Sequence, residues 1–421
     1  MRAAIVIDRL TLLLVASAAA ALASGCRVAE IRQQAQTVES AGRVAGTVTA
    51  REPRSGQLVV VLFRKTAEQA FVVQNVGFAA VDGGFEFAVP PGEYYLAAFQ
   101  DRNGDSRYQA DEPGSFHGAP TALPVAVAGA VEVSLEVPAQ SAPLVHQGTE
   151  FGPVAPILRN IGLVTTLEDP RFARENAALG MWRPADFLAG PEGGLFLLQA
   201  YDARRTPVLF VHGINGTPLD FAAAIAGLDR GRYQPWVLYY PSGLRLDMVS
   251  DYLVTAVYGL QRRHGFTQFA LVAHSMGGLV ARSFVHKYTA RQPQAARALQ
   301  LFVTVNSPMG GMASAASGVE HAPVVVPSWE DVATGSTFLQ RLATDGWPAQ
   351  VPYHLVFSYS GDHSGDGTVS LDSQLPARVQ AEATRLYGFH GTHVGTLSNP
   401  EFIALLERLL AGVNPAVAGT P

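Results

Sequence analysis

The chain of 421 residues has one cysteine, Cys26, so an internal disulfide framework is excluded. Charge is sparse as well. Asp, Glu, Lys and Arg make up 15% of residues, the formal net charge is −5, and no long run of one sign occurs. That excludes the clustered Lys and Arg surface that grips nucleic acid. The apolar run near the N-terminus, Leu10–Ala23, is too short to span a bilayer comfortably. Internal repeats are missing too, which removes the solenoids and propellers. What is present is apolar bulk: hydrophobic residues reach 48%, enough for a large core, and the length suggests two or three domains.

Arg2 and Arg9 flank the start of the apolar run, and residues 1–25 read as a signal peptide. It ends Leu22-Ala23-Ser24-Gly25-Cys26, which resembles the bacterial lipobox, although the leucine usual three places before the cysteine is Ala23 here. The resemblance implies a lipid on Cys26 and a membrane anchor. Residue 27 is Arg rather than Asp, which under that resemblance implies the outer membrane of a bacterial envelope. Cleavage at Ala21-Leu22-Ala23 is the alternative and leaves a soluble periplasmic or secreted protein. Residues 26–41 are polar and alanine-rich and are expected to be a tether.

Over 42–138 the pattern turns to short β-rich runs, Val44–Thr49, Leu58–Phe63, Phe71–Val73, Phe85–Val89, Tyr94–Phe99 and Val131–Val137, separated by turn signals such as Asp82-Gly83-Gly84 and Pro90-Pro91-Gly92. Short strands at this spacing argue a small all-β sandwich. The stretch Pro91-Gly92-Glu93-Tyr94-Tyr95-Leu96-Ala97-Ala98-Phe99, within residues 42–138, resembles the transthyretin-like or carboxypeptidase-regulatory-like sandwich family. In the same region, Asp101, Asn103, Asp105 and Glu112 stand at places 1, 3, 5 and 12 of a loop, the oxygen-ligand spacing of a calcium loop. Place 6 holds Ser106 instead of glycine, and no helices are expected on either side. The loop either holds a structural calcium ion or closes on its own backbone as a metal-free turn.

Residues 139–194 contain Pro143, Pro153 and Pro156 and read as a linker with one leading helix, Arg171–Leu179, broken by Met181-Trp182-Arg183-Pro184. From 195 to 412, apolar strand-like runs at Leu195–Leu198, Val208–Val211, Trp236–Tyr240, Phe269–Ala273, Leu301–Val305, Tyr353–Phe357 and Arg385–Phe389 alternate with helical stretches, among them Phe221–Leu228, Met248–His264, Leu279–Tyr288 and Pro400–Leu410. The alternation predicts an α/β domain with a mostly parallel sheet covered on both faces. Residues 413–421 read as a tail.

Ala273-His274-Ser275-Met276-Gly277-Gly278 joins one such strand to the next helix. It has the form G-x-S-x-G of a nucleophile elbow, with Ala273 at the first glycine. A serine hydroxyl needs a base in hydrogen-bond reach and a third group that orients the base. Asp366, in Gly365-Asp366-Gly367-Thr368-Val369, and His393, in Thr392-His393-Val394-Gly395, come later in the order Ser, Asp, His, each on a loop after a strand. Asp362 and Asp372 are rival acids and His390 a rival base. His274 is expected to pack beside the elbow. Residues 195–412 thus resemble an α/β-hydrolase of the lipase and esterase group. The resemblance implies Ser275 as nucleophile, Asp366 as acid, His393 as base, and an oxyanion hole built from the N–H of Ile214, in Val211-His212-Gly213-Ile214, and of Met276.

The Gly-, Ala- and Ser-rich insertion 309–350, with a helix expected near Asp331–Leu342, reads as a lid or pocket wall. Tyr240-Pro241-Ser242-Gly243-Leu244 either lines the same cleft or packs in the core. The expected activity is hydrolysis of carboxylic esters, lipid or phospholipid esters included, without a catalytic cofactor. The alternatives are acyl transfer or amide cleavage by the same residues, and a non-catalytic envelope binding protein whose hydrolase domain is a retired scaffold.

Overall fold

The computed structural model describes residues 27–51, 56–68, 70–109, 111–118, 121–139, 156–361 and 364–413. The signal peptide, Cys26 and the tail 414–421 lie outside these residues.

Among the described residues, eight strands form the first domain: β1 (Gly42–Ala50), β2 (Gln57–Lys65), β3 (Phe71–Phe78), β4 (Gly84–Val89), β5 (Gly92–Asp101), β6 (Gly114–Phe116), β7 (Leu123–Val125) and β8 (Ala130–Val137). One sheet runs β4-β1-β8; the other runs β3-β2-β5-β6, with β7 also paired to β5. Strand β8 alternates buried valine and leucine with exposed glutamate and serine, the period of a sheet with one wet face. Strand β2 does not alternate, because both of its faces are covered. Leu58, Val60 and Leu62 enter the core between the sheets, and Val59, Val61 and Phe63 pack in a second cluster with Val73, Ala97 and Phe99.

The second domain adds β9 (Leu163–Val164), β10 (Gly194–Leu197), β11 (Thr206–Val211), β12 (Tyr233–Tyr239), β13 (Phe269–His274), β14 (Leu299–Val305), β15 (Tyr353–Tyr359) and β16 (Arg385–His390). They form one sheet in the order β16-β15-β14-β13-β11-β12-β10-β9, parallel except for β10 against β12. Every residue of β11 and β13 is buried, as central strands covered on both faces require. The long helix Leu246–His264 turns Val249, Leu253, Ala256, Val257 and Leu260 inward at helical spacing and ends at Gly265, whose φ of 66° closes it in the left-handed region.

Three expectations change. Residues 27–39 are not a plain tether but a helix docked on the second domain: Val38 joins its core, and the Gln34 side-chain carbonyl accepts from the N–H groups of Ala185 and Asp186, capping the helix Pro184–Ala189. The linker supplies an edge strand, β9, paired with β10. The one helix expected near Asp331–Leu342 is two, Pro327–Val332 and Thr337–Thr344, parted at Gly335 (φ 79°) with Ser336 capping the second.

The sandwich sits against the outer side of the long helix. The Tyr258 hydroxyl donates to Gln57 (2.8 Å), the Phe78 and Tyr258 rings meet edge to face, and Gln292 donates to the carbonyl of Ala79. A cavity of about 550 Å³ lies between the two domains, and Ser275 is not among its lining residues. No helix among the described residues is long and apolar enough to cross a membrane.

Candidate active site

The elbow shows why each small residue stands where it does. Ser275 has φ 54° and ψ −133°, a conformation L-residues rarely adopt, held by its N–H to the carbonyl of Val305. A Cβ on Gly277 would lie 2.3 Å from the carbonyl oxygen of His212, and one on Gly278 2.0 Å from Ser307 Oγ. The helix Met276–Arg291 can therefore leave the strand at this angle only with two glycines in its first turn. Ala273 is fully buried within β13.

Ser275 Oγ lies 2.8 Å from His393 Nε2, and His393 Nδ1 lies 2.7 Å from Asp366 Oδ2. Asp366 is buried in a tight turn, where its Oδ1 accepts from the N–H groups of Thr368 and Val369. Burial alone would raise its pKa; the bond from His393 and those two N–H groups outweigh it, so the carboxyl sits below its ordinary value. Of the rivals, Asp372 is exposed on the short helix Leu371–Gln374, and His390 is exposed at the end of β16 against Tyr359. Asp362 lies outside the described residues.

Ile214 and Met276 present backbone N–H groups that have no acceptor among the described residues. The loop that carries Ile214 is braced from several sides. His212 is buried, stacks on Tyr240 at 4.3 Å, donates from Nδ1 to the carbonyl of Gly213, and receives the Tyr240 hydroxyl on its own carbonyl. Burial pushes its pKa down to about 4, so the ring is neutral at neutral pH. Ser242 Oγ accepts from the N–H of Asn215, which sits at φ 51°. Tyr240 is thus a core residue and Ser242 a brace, while Tyr240, Pro241 and Leu244 also line the cavity between the two domains. A Cβ on Gly213 would meet Ser275 Cβ at 2.7 Å, so only glycine lets this loop run beside the nucleophile.

The halves of the 309–350 insertion differ. Helix Ala313–His321 has no buried residue, whereas Thr337–Thr344 drives Phe338, Leu339 and Leu342 into the main core. Asp331 accepts the N–H of Leu246 at the start of the long helix, and Arg245 pairs with Glu330. The first half packs more lightly, with Met312 and Ala315 against the main core and the Pro323 carbonyl accepting from Arg32.

The four residues of the sandwich loop are brought together differently. Asp101 accepts from the N–H groups of Gly104 and Ser106, Asn103 from Asp105, Asp105 from Arg107, and Glu112 from Arg102 and Gln109. Arg262 of the long helix stands 3.9 Å from Asp101 and sets a positive charge beside that carboxylate. No group of three His, Cys, Asp or Glu set to hold a metal ion occurs among the described residues. In this arrangement all four side chains accept backbone N–H groups of their own loop, the hydrogen bonding of a turn closed on its own backbone.

A family described as an alpha/beta hydrolase of unknown function (DUF915) matches residues 245–380, a span holding the elbow and Asp366. The fold is that of an α/β-hydrolase. Among solved structures, the chain is similar to a Bacillus licheniformis lipase in mature form, with 17% identity, 51% of this chain and 97% of that one covered, and a TM-score of 0.42. It is also similar to a metagenomic carboxyl esterase at 15% identity, covering 50% of this chain and 75% of that one, with a TM-score of 0.39. For a Pyrococcus furiosus esterase the identity is 14%, the coverage 50% of this chain and 84% of that one, and the TM-score 0.37. No curated protein matches the chain.

Proposed function

We propose that this protein is a serine hydrolase that cleaves carboxylic esters through an acyl-enzyme. The observation that carries the reading is the hydrogen-bonded run from Ser275 Oγ through His393 to Asp366, at 2.8 and 2.7 Å. In it His393 takes the Ser275 proton as Oγ attacks the ester carbonyl and returns that proton to the leaving alcohol. A water deprotonated by the same ring then releases the acid and frees Ser275. Asp366 fixes the tautomer of His393 and stabilises the imidazolium. The N–H groups of Ile214 and Met276 are the oxyanion donors in this reading; losing one such donor typically costs about 3 kcal/mol of barrier.

A lipid on Cys26 would hold the enzyme at the outer membrane of a bacterial envelope, where lipid or phospholipid esters are at hand, and Ala313–His321 is the proposed lid over the acyl side. In the test, Ser275→Ala should lose p-nitrophenyl ester hydrolysis by about 10⁴-fold or more while its thermal unfolding midpoint stays put. Full activity in that variant sinks the reading. Added alcohol acceptors, with product analysis, separate hydrolysis from acyl transfer by the same residues.

A further inference from the structure

His393 lies on the loop after β16, outside any helix or strand, yet a base must be held to within a fraction of an ångström of the serine it serves. Its side chain is held at both ring nitrogens, and its backbone is held too. The N–H of His393 donates to the carbonyl of Asp366 at 3.0 Å. Its carbonyl oxygen accepts two side-chain donors, His274 Nε2 at 3.0 Å and Asn306 Nδ2 at 2.8 Å.

The two donors come from the ends of neighbouring central strands. His274 is the last residue of β13 and the immediate neighbour of Ser275; Asn306 comes directly after β14, at φ 52°, with its N–H on the carbonyl of Val356. Both are buried. Each also keeps one buried polar atom, His274 Nδ1 and Asn306 Oδ1, without a hydrogen-bond partner among the described residues. A core site chosen for packing alone would hold an apolar side chain and avoid that cost.

We infer that His274 and Asn306 are positioning residues for the base: together they clamp the carbonyl of His393 and so tie the loop to the strand end that carries the nucleophile. The inference rests on the hydrolase reading above. Neutral His274 suits the task. Burial, and then the nearby His393, push its pKa down to about 3, so it donates through Nε2 without setting a second positive charge beside the imidazolium that forms during attack. Because two donors share one acceptor, either alone keeps the carbonyl held. The loop is released only when both are gone.

The experiment uses the full chain with His274→Phe, His274→Gln, Asn306→Gly and the double variant H274F/N306G. Asn306→Gly removes the donor while easing the left-handed backbone at that position, so the fold is retained. Each is measured for kcat and KM on a p-nitrophenyl ester, for the rate of fluorophosphonate labelling, for thermal unfolding, and for the downfield proton resonance of the His393–Asp366 bond. Single loss of a donor should lower kcat about threefold to tenfold, and the double variant about 10³-fold, beyond the product of the singles, with KM unchanged and the downfield resonance broadened or lost. His274→Gln keeps an N–H at similar reach and should stay within about threefold of wild type.

A double variant that labels and turns over at the wild-type rate would overturn the positioning role alone. So would rates that fall in H274Q as far as in H274F, because the loss would then track the ring and not the donor. If H274F does not fold, Asn306→Gly combined with H274Q carries the comparison: its kcat should match that of N306G alone, and a further fall would overturn the role. An unlabelled wild type would overturn the hydrolase reading and this inference with it.

Discussion

Two tight acidic turns in this molecule are built alike and end differently. In one, Asp101 accepts the N–H groups of Gly104 and Ser106 in a loop of the sandwich; in the other, Asp366 accepts those of Thr368 and Val369 beyond β15. Both carboxylates are buried, and both turns contain a glycine at positive φ, Gly104 and Gly367. In the sandwich both oxygens of Asp101 are taken by its own loop, and the nearby guanidinium of Arg262 balances the charge. In the α/β domain the loop takes one oxygen and leaves Oδ2 for His393, a residue 27 positions away. A buried carboxylate whose hydrogen bonds are all local holds a loop in shape; one with an oxygen left over can act on something else.

The largest effect expected from breaking this contrast is at Asp366. Asp366→Asn should keep the turn, since the amide oxygen still accepts two N–H groups, but lower kcat/KM on a p-nitrophenyl ester by about 10⁴-fold through loss of the His393 orientation. A fall below tenfold would mean that another acid serves His393. Asp101→Asn is the converse. It should cost about 1–3 kcal/mol in urea unfolding, because the carboxylate is fully buried and its bonds are charge-assisted, and leave kcat/KM within about twofold. An activity loss larger than the stability loss explains would tie the sandwich loop to catalysis.

The two regions should also answer pH with opposite sign. Asp366 sits below its ordinary pKa, so its contribution to stability is present above that ordinary value and is lost as pH falls through the lower folded one. Glu112 sits above its ordinary value of 4.5; burial disfavours its charge most and Asp101 and Asp105 add to this, against the N–H groups of Gln109 and Arg102. Its contribution is therefore fully present below that ordinary value and lost as pH rises through the folded one. As pH falls from about 7 to about 2, the stability gap between wild type and Glu112→Gln should grow on the approach to the ordinary Glu value of 4.5, while that between wild type and Asp366→Asn should hold and then shrink below the ordinary Asp value of 3.8. Gaps that move together would refute the contrast. The smallest effect is expected from calcium: ~1 mM of the ion should move the unfolding midpoint by less than about 1 °C. A rise of several degrees would mean that the sandwich loop takes the cation.

Where the pattern is strong, the sequence reads far. The run from Phe269 to Ala273 is apolar without alternation, as a strand covered on both faces must be, and Gly277 and Gly278 announce the tight packing of the next helix. The helix over 27–39 is harder to see, although Ile31, Ala35 and Val38 repeat at helical spacing along its inward side. Gln34 sits in that stripe, and its polar end is satisfied only by a cap on the distant helix Pro184–Ala189. The insertion misleads in another way. Its composition and expected helix read as a lid or pocket wall, yet Phe338 and Leu342 are core residues, because their burial depends on surfaces contributed by distant parts of the chain.

By itself, then, the sequence determined the alternation that makes the parallel sheet, the elbow around Ser275, and the order of Asp366 and His393 behind it. These are local properties: period, turn chemistry, and small residues where backbone approaches backbone. Tertiary structure alone decided which acid meets the histidine, that the calcium-like spacing at Asp101 closes on its own N–H groups and Arg262, and that His274 and Asn306 converge on the carbonyl of His393. Each of those outcomes depends on the direction of a donor or an acceptor across a fold-wide distance. Spacing along a chain fixes which residues are present, and only the packed sheet fixes where their hydrogen bonds point.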